Sequence, residues 1–281
     1  MLSQVTSLFL IEFAVGTLVF MLFMPLRDLK NTFFALNGAI SFLFLLLYLI
    51  LSGLFFQNIP APDFVSLSFF LTQQSLKWLV LLSLVLLTAS YLIFLFRGYL
   101  ISRLLLLLCA AIGLAAVFTR GMTGISASLP VTAQILSGLS LVLGALLIGV
   151  CYGTMILGHW YLVTPSLPFK YLVNSSRCFV GAALLRAVIL IAVFFLFFGF
   201  LGSEAKMSAE NLISFDQFGL FFLMRVFWGI LGPLVLSFMI LETAKIRSNQ
   251  AATGILYVAC IFVFIGELFA DYLFQMGGFP S

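Results

Sequence analysis

The chain has 281 residues, of which 64% are hydrophobic and 8% charged, with a formal net charge of +4 and a mean hydropathy of +1.27. That balance is foreign to soluble domains and leaves no polar stretch long enough to build one, so any catalytic head the function needs belongs to another polypeptide. The basic residues are dispersed at the ends of apolar runs instead of gathered into a patch, which argues against nucleic acid as a partner.

A bilayer core is about 30 Å thick and a helix rises about 1.5 Å per residue, so roughly 20 apolar residues make one crossing. Eight such stretches are expected, at about 5–24, 32–56, 76–96, 104–122, 133–158, 179–201, 218–241 and 251–275. Backbone amides have no water to pair with at that depth, so all eight should be α-helical: an all-α polytopic membrane protein, 1–281 forming a single integral membrane domain. The first stretch follows Met1-Leu2-Ser3-Gln4, which carries no positive charge, and no small-residue cleavage site closes it; it reads as a retained span, with Glu12 about one third of the way in. Arg27 and Lys30 follow it, and the second span leads into a polar connection from Gln57 to Gln74. Lys77 opens the third span, Arg97 and Arg103 follow it, and Arg120 closes the fourth. The fifth ends in Gly158-His159-Trp160-Tyr161-Leu162-Val163-Thr164-Pro165, before Lys170 and Arg177. Arg186 lies near the middle of the sixth span, and a connection from Gly202 to Gln217 carries Glu204, Lys206, Glu210 and Asp216. The seventh holds Arg225, Trp228 and a Gly232-Pro233 break before Lys245 and Arg247; the eighth holds Glu267 and Asp271.

Eight of the 13 basic residues therefore fall in alternate connections on one side. The positive-inside rule makes that side cytoplasmic and turns both termini outward, to the periplasm if the membrane is the bacterial inner membrane of a Gram-negative cell. The two longest polar connections then face outward, as solvated loops or as a docking surface for an extracytoplasmic subunit. Gly16-Thr17 in the first span is echoed by Gly153-Thr154 in the fifth, each ahead of a Pro-containing connection, which hints at two parallel four-helix halves, 1–130 and 131–281.

Charges within a membrane need partners, water or a short route to the interface, because each costs on the order of 2.5–3.5 kcal/mol at the bilayer centre. Glu12, Arg225, Glu267 and Asp271 fall in the outer half, with Arg120 above them. Glu267 and Asp271 are one turn apart on one helix face, where two carboxylates repel unless a cation such as Arg225 or Arg120 intervenes. Two readings stand: an ion-pair network that fixes packing, or a polar pocket in which Glu267, Asp271 and Glu12 relay protons while Arg120, Arg225 and Trp228 hold a polar ligand head. Pro233 should kink its helix and open a cleft for a flat ring.

His159, the lone histidine, fits the aromatic belt beside Trp160 and Tyr161, or serves proton uptake or a second ligand site. It cannot supply the paired axial ligands of a membrane haem. Cys109, Cys151, Cys178 and Cys260 are scattered without a Cys-x-x-Cys pair, so the expectation is no haem and no metal bound by this chain itself.

The last two spans carry Arg225, Gly229, Gly232 and Pro233, a short basic turn, then Gly266-Glu267-Leu268-Phe269-Ala270-Asp271-Tyr272-Leu273-Phe274. This run resembles the C-terminal end of the NrfD-like membrane anchors of polysulfide reductase and dimethyl sulfoxide reductase, and Glu12, Ala14, Val15 and Gly16 are similar to their opening helix. Where that family often has a basic residue, this chain has Asp271. The resemblance implies a subunit that binds a quinone, menaquinone or ubiquinone, without haem, and docks an iron–sulfur (ferredoxin-like) or multihaem cytochrome subunit leading to a catalytic subunit. It implies that Arg225 and Glu267 border the quinone or proton path, with Trp228, Arg120, Tyr272 and His159 as further quinone-site candidates. The expected role is therefore a quinone-interacting membrane subunit of an oxidoreductase complex; the alternatives are a small-solute or ion transporter and a purely structural membrane subunit.

Overall fold

Long runs of Leu, Phe, Ile and Val satisfy their own backbone groups only by coiling, and the computed structural model is all-α over the residues it describes: 2–25, 28–29, 31–51, 82–91, 99–126, 129–164, 167–199, 210, 212 and 217–280. Among the described residues, seven helices are long and apolar enough to cross a membrane. They are α1 (Leu2–Phe23), α2 (Asn31–Leu51), α4 (Tyr99–Thr123), α5 (Val131–Val163), α6 (Lys170–Gly199), α7 (Gln217–Lys245) and α8 (Asn249–Gly277). Of the expected third span the described part is α3 (Leu82–Tyr91). The rest of it lies outside the described residues, as do Arg27, Lys30, Lys77, Arg97, the connection from Gln57 to Gln74 and most of that from Gly202 to Gln217.

Several helices outrun their apolar spans. α6 starts at Lys170, not 179, because Asn174, Ser175, Ser176 and Arg177 are compatible with helix though not with hydrocarbon. α5, with 33 residues, is about 50 Å long and so extends past a 30 Å core into the headgroup layer. Hydropathy marks where the chain crosses; the helix continues until capping or a proline stops it.

α1 and α5 form the centre. In α1, 83% of the apolar window is buried, against 22% in α7. The two run parallel in backbone contact: a Cβ on Gly16 would lie 1.9 Å from the carbonyl oxygen of Ala145, one on Gly149 would lie 2.0 Å from the Gly16 carbonyl carbon, and Gly153 receives the Phe20 ring. Small residues let backbones approach where lipid offers no hydrophobic drive for association. The hydroxyls beside this seam are satisfied locally, Thr17 donating to the Phe13 carbonyl and Thr154 to that of Val150. Parallel neighbours require an odd number of crossings between them, as the expected second, third and fourth spans would supply.

α8 lies antiparallel to α5, with Glu267 beside Gly144, Cys260 beside Cys151 and Thr253 beside Gly158. α7 lies antiparallel to α8, touching it backbone to backbone at Gly229 and Gly266. The break expected at Gly232-Pro233 takes the form of a π turn over Phe227–Leu231, closed by the Gly232 N–H on the Phe227 carbonyl, after which Pro233 falls in a first turn where its missing N–H costs nothing. Phe262 lies over Gly232 and packs on Trp228 at 4.4 Å between ring centroids, so side chains fill the place where a cleft was expected. Leu100, Val188, Phe195 and Leu223 point outward, as on a surface whose solvent is hydrocarbon. By these pairings the start of α1 and the end of α8 lie at one end of the bundle. Arg103, Lys170, Arg177, Lys245 and Arg247 lie at the other.

Candidate functional site

Five helices deliver ionisable or polar groups to one buried point, and glycines make the approach possible. A Cβ on Gly144 of α5 would lie 2.9 Å from Glu267 Oε2, 3.2 Å from Glu12 Oε2 and 3.3 Å from Arg186 Nη2, so the bare backbone there is the floor on which side chains from α8, α1 and α6 meet. Gly229 plays the same part for α7: its missing Cβ leaves room for the Arg225 guanidinium, whose Nη1 would be 1.9 Å from it, while its backbone rests on Gly266. Glu12, Arg186, Arg225, Glu267 and Asp271 are all at most 2% exposed.

Arg186 holds Glu267 with two parallel bonds, Nη2 to Oε2 at 2.7 Å and Nε to Oε1 at 3.2 Å. Its Nη1 donates to the carbonyl of Ser140 at 2.9 Å and to the Ser140 hydroxyl at 2.6 Å. Such a fork fixes geometry as well as charge. Arg225 approaches the same carboxylate, Nη2 lying 3.2 Å from Oε1, as an ion pair whose N–H is not aimed along the bond; its Nε and Nη1 have no hydrogen-bond partner among the described residues. Glu12 Oε2 and Asp271 Oδ2 are likewise buried without a donor. Both carboxylates lie within the field of Arg186 and Arg225, and Asp271 also within that of Arg120. Three carboxylates thus face three guanidiniums, formally neutral when all are ionised.

The chemistry divides between them. Protonating Glu267 would break a fork in a medium where breaking a buried pair costs about 3–5 kcal/mol. Placing a proton on Glu12 Oε2 or Asp271 Oδ2 breaks no hydrogen bond. Glu267 is thus held as a counter-ion, while Glu12 and Asp271 each keep one carboxylate oxygen without a donor among the described residues. Arg120, half-buried above Asp271, lies 6.0 Å from the Phe274 ring centroid and stands between the cluster and the end of the bundle that bears the chain termini.

The structure thus brings together Glu12, Arg225, Glu267 and Asp271, with Arg120 at the mouth. It places the other candidates elsewhere. Trp228 packs against Phe262 and Phe227 in the π turn. Tyr272 stacks on Phe221 at 4.5 Å and accepts a bond from Gln217 Nε2 at 3.3 Å, one helix face away from Asp271. His159 is exposed at the opposite end, its Nδ1 3.2 Å from the Tyr257 hydroxyl. Sequence reasoning missed Arg186 as the principal counter-ion, along with Ser140 and Gly144. The signal was charge balance: three carboxylates against Arg225 and Arg120 leave one cation wanting, and Arg186 is the remaining arginine inside a span.

Among the described residues no three His, Cys, Asp or Glu side chains are placed to hold a metal ion. No family model matches this chain, and no curated protein matches it.

Proposed function

We infer that this protein is a quinone-linked, proton-handling subunit of a bacterial inner-membrane oxidoreductase complex. The observation that carries the reading is the buried cluster, in which one carboxylate is locked by two arginines while two others keep oxygens without donors. Oxidising a quinol releases two electrons and two protons, and a dry site must give those protons a place to go. Glu12 and Asp271 supply acceptors, Glu267 with Arg186 and Arg225 holds the cluster in register, and Arg120 faces the quinone head at the outer end. The electrons pass to an iron–sulfur or multihaem partner docked on the outward surface, as the likeness to NrfD-like anchors implies. The likeness of α7 and α8 to NrfD-like anchors supports the quinone and the partner; the cluster supports the protons.

The test is quinol-linked turnover of the purified complex. Glu12→Gln and Asp271→Asn should each slow it about a hundredfold, within the range for loss of a positioned proton acceptor, while quinone still co-purifies. A complex that retains no quinone and turns over unchanged with both substitutions refutes the reading. Solute flux through the isolated subunit in liposomes, independent of any redox partner, would make it a transporter.

A further inference from the structure

The segment that follows α8 turns back into the bundle. Gly278, at φ 63°, reverses the chain, its N–H and that of Phe279 both donate to the Leu273 carbonyl, and the Phe279 side chain is carried inward until it is fully buried. It lands between α6 and α7. Among the described residues those two helices pack through the inner part of α7, Gly232–Lys245, while their backbones diverge along its outer part, Gln217–Val226. Rings bridge that gap. Phe279 stands edge-on to Phe197 at 5.3 Å, to Phe222 at 6.2 Å and to Phe194 at 6.4 Å between centroids, and Phe194 stacks on Phe222 at 5.9 Å with the planes 17° apart. On the lipid side the cage is flanked by exposed Phe195 and Leu223. On the other side it gives onto the charge cluster. Phe222 precedes Arg225 by one turn on the same face, about 4.5 Å along the axis, and Phe194 and Phe197 stand about two and three turns above Arg186 on its buried face.

We propose that the gap between α6 and the outer part of α7 is a side entrance through which a flat, lipid-dissolved ring reaches the charge cluster, and that Phe279 is the latch that fills it. Any apolar side chain would serve to anchor the end of α8. A cage of three phenyl rings, open to lipid on one side and to arginine on the other, fits a flat aromatic group that carries polar oxygens. Such a ring takes the volume that Phe279 leaves and exchanges its edge-to-face contacts for like ones, so the displacement costs little. One turn further in, its oxygens meet Arg225, whose Nε and Nη1 have no hydrogen-bond partner among the described residues. The latch itself is a short tether, released by undoing the turn at Gly278. The quinone reading supplies the identity of the ring, while the entrance and its latch stand on the geometry.

The test is labelling of the full chain, in lipid nanodiscs, with dicyclohexylcarbodiimide, a lipid-soluble reagent for buried carboxyl groups; adducts on Glu12 and Asp271 are counted by peptide mass spectrometry, each variant being kept well below its own melting point. Phe279→Ala should raise their labelling rate about tenfold, since the latch then forgoes three ring pairs. Gly278→Val should do the same with Phe279 still present, because a β-branched residue is strained at that positive φ although its side chain would meet no neighbour. Gly278→Asn, which tolerates the left-handed conformation, should label as the wild type does. Leu157→Ala, which opens a cavity at the opposite end of the bundle, reports general loosening and should also label at the wild-type rate. Wild-type rates in Phe279→Ala or Gly278→Val, or equal acceleration in Leu157→Ala, overturn the entrance. Accelerated labelling together with quinol-linked turnover that does not respond to Phe279→Ala keeps the entrance and overturns the quinone reading.

Discussion

Replacing Glu267 by Gln keeps its shape and removes one charge from a cluster in which three carboxylates face three guanidiniums. The two arginine contacts lie at 2.7 and 3.2 Å with every participant buried. At an effective dielectric of about 20, a unit pair 3.2 Å apart attracts by about 5 kcal/mol, in line with the ~3–5 kcal/mol lost when one member of a buried pair is removed. For a chain of this size that is a fall of roughly 6–15 °C in the unfolding midpoint. The assay is built into the protein: Cys109, Cys151 and Cys260 are buried free thiols, so a maleimide that fluoresces on reaction reports their exposure as the detergent-solubilised protein is heated, over a baseline set by exposed Cys178. Adding Arg225→Gln to Glu267→Gln restores neutrality and should return about 1–3 kcal/mol of the loss, the coupling of groups in one network. Arg186→Gln alone should cost more than Arg225→Gln, because Arg186 makes the fork and both Ser140 bonds whereas Arg225 has two nitrogens unpartnered. If Glu267→Gln melts with the wild type, the cluster is solvated and the division into fixed and exchangeable carboxylates is wrong.

Gly144→Ala sets a methyl among the tips of Glu267, Glu12 and Arg186, which must part; turnover should fall well beyond what its stability cost of about 1–3 kcal/mol explains, as paired rate and melting measurements will show. Gly149→Leu presses a side chain into the Gly16 backbone, where nothing flexible yields, and should cost at least about 3 kcal/mol, read as lost yield of folded protein. The Cys151 and Cys260 sulfurs are 3.5 Å apart, so a membrane-permeant oxidant should join α5 to α8 and remove two thiols from the count after denaturation, an outcome abolished in Cys260→Ser. His159→Ala breaks an exposed contact at the far end and should change stability by less than about 0.5 kcal/mol and leave quinol-linked turnover intact.

Depth along a helix is legible in a sequence because the rise per residue is fixed, and it puts Glu12, Arg225, Glu267 and Asp271 at similar levels. Azimuth is not. In a soluble helix a polar face marks the outside, but here lipid and core are equally apolar, so nothing in the residue pattern of α6 says which way Arg186 points. α6 also begins with polar turns, Lys170 to Arg177, ahead of the apolar run that starts at residue 179. Trp228 was expected beside Arg225 on α-helical spacing, but the π turn at Phe227–Leu231 adds a residue to one turn and changes which faces align. Tyr272 adjoins Asp271 in sequence and is turned about 100° from it around α8, onto the aromatic face shared with Phe221. The glycines were visible throughout; that Gly144 is a floor and Gly229 a doorway depends on which helix lies opposite, and only the assembled bundle supplies that.

The enclosure of α1 has a bearing on how the chain is made. α1 is made before the helices that enclose it; its apolar window is the most buried of the described membrane-length helices, and it carries an acid whose counter-ions do not yet exist. Synthesis proceeds at roughly 5–20 residues per second, so Glu12 waits on the order of ten to forty seconds until Arg186 and Arg225 arrive, the latter about 210 residues later. Over that interval the helix must rest in the insertion machinery or keep its acid protonated in lipid. A nascent chain halted before α6 should therefore stay crosslinkable to that machinery through α1, and release only once the sixth helix has entered the bilayer.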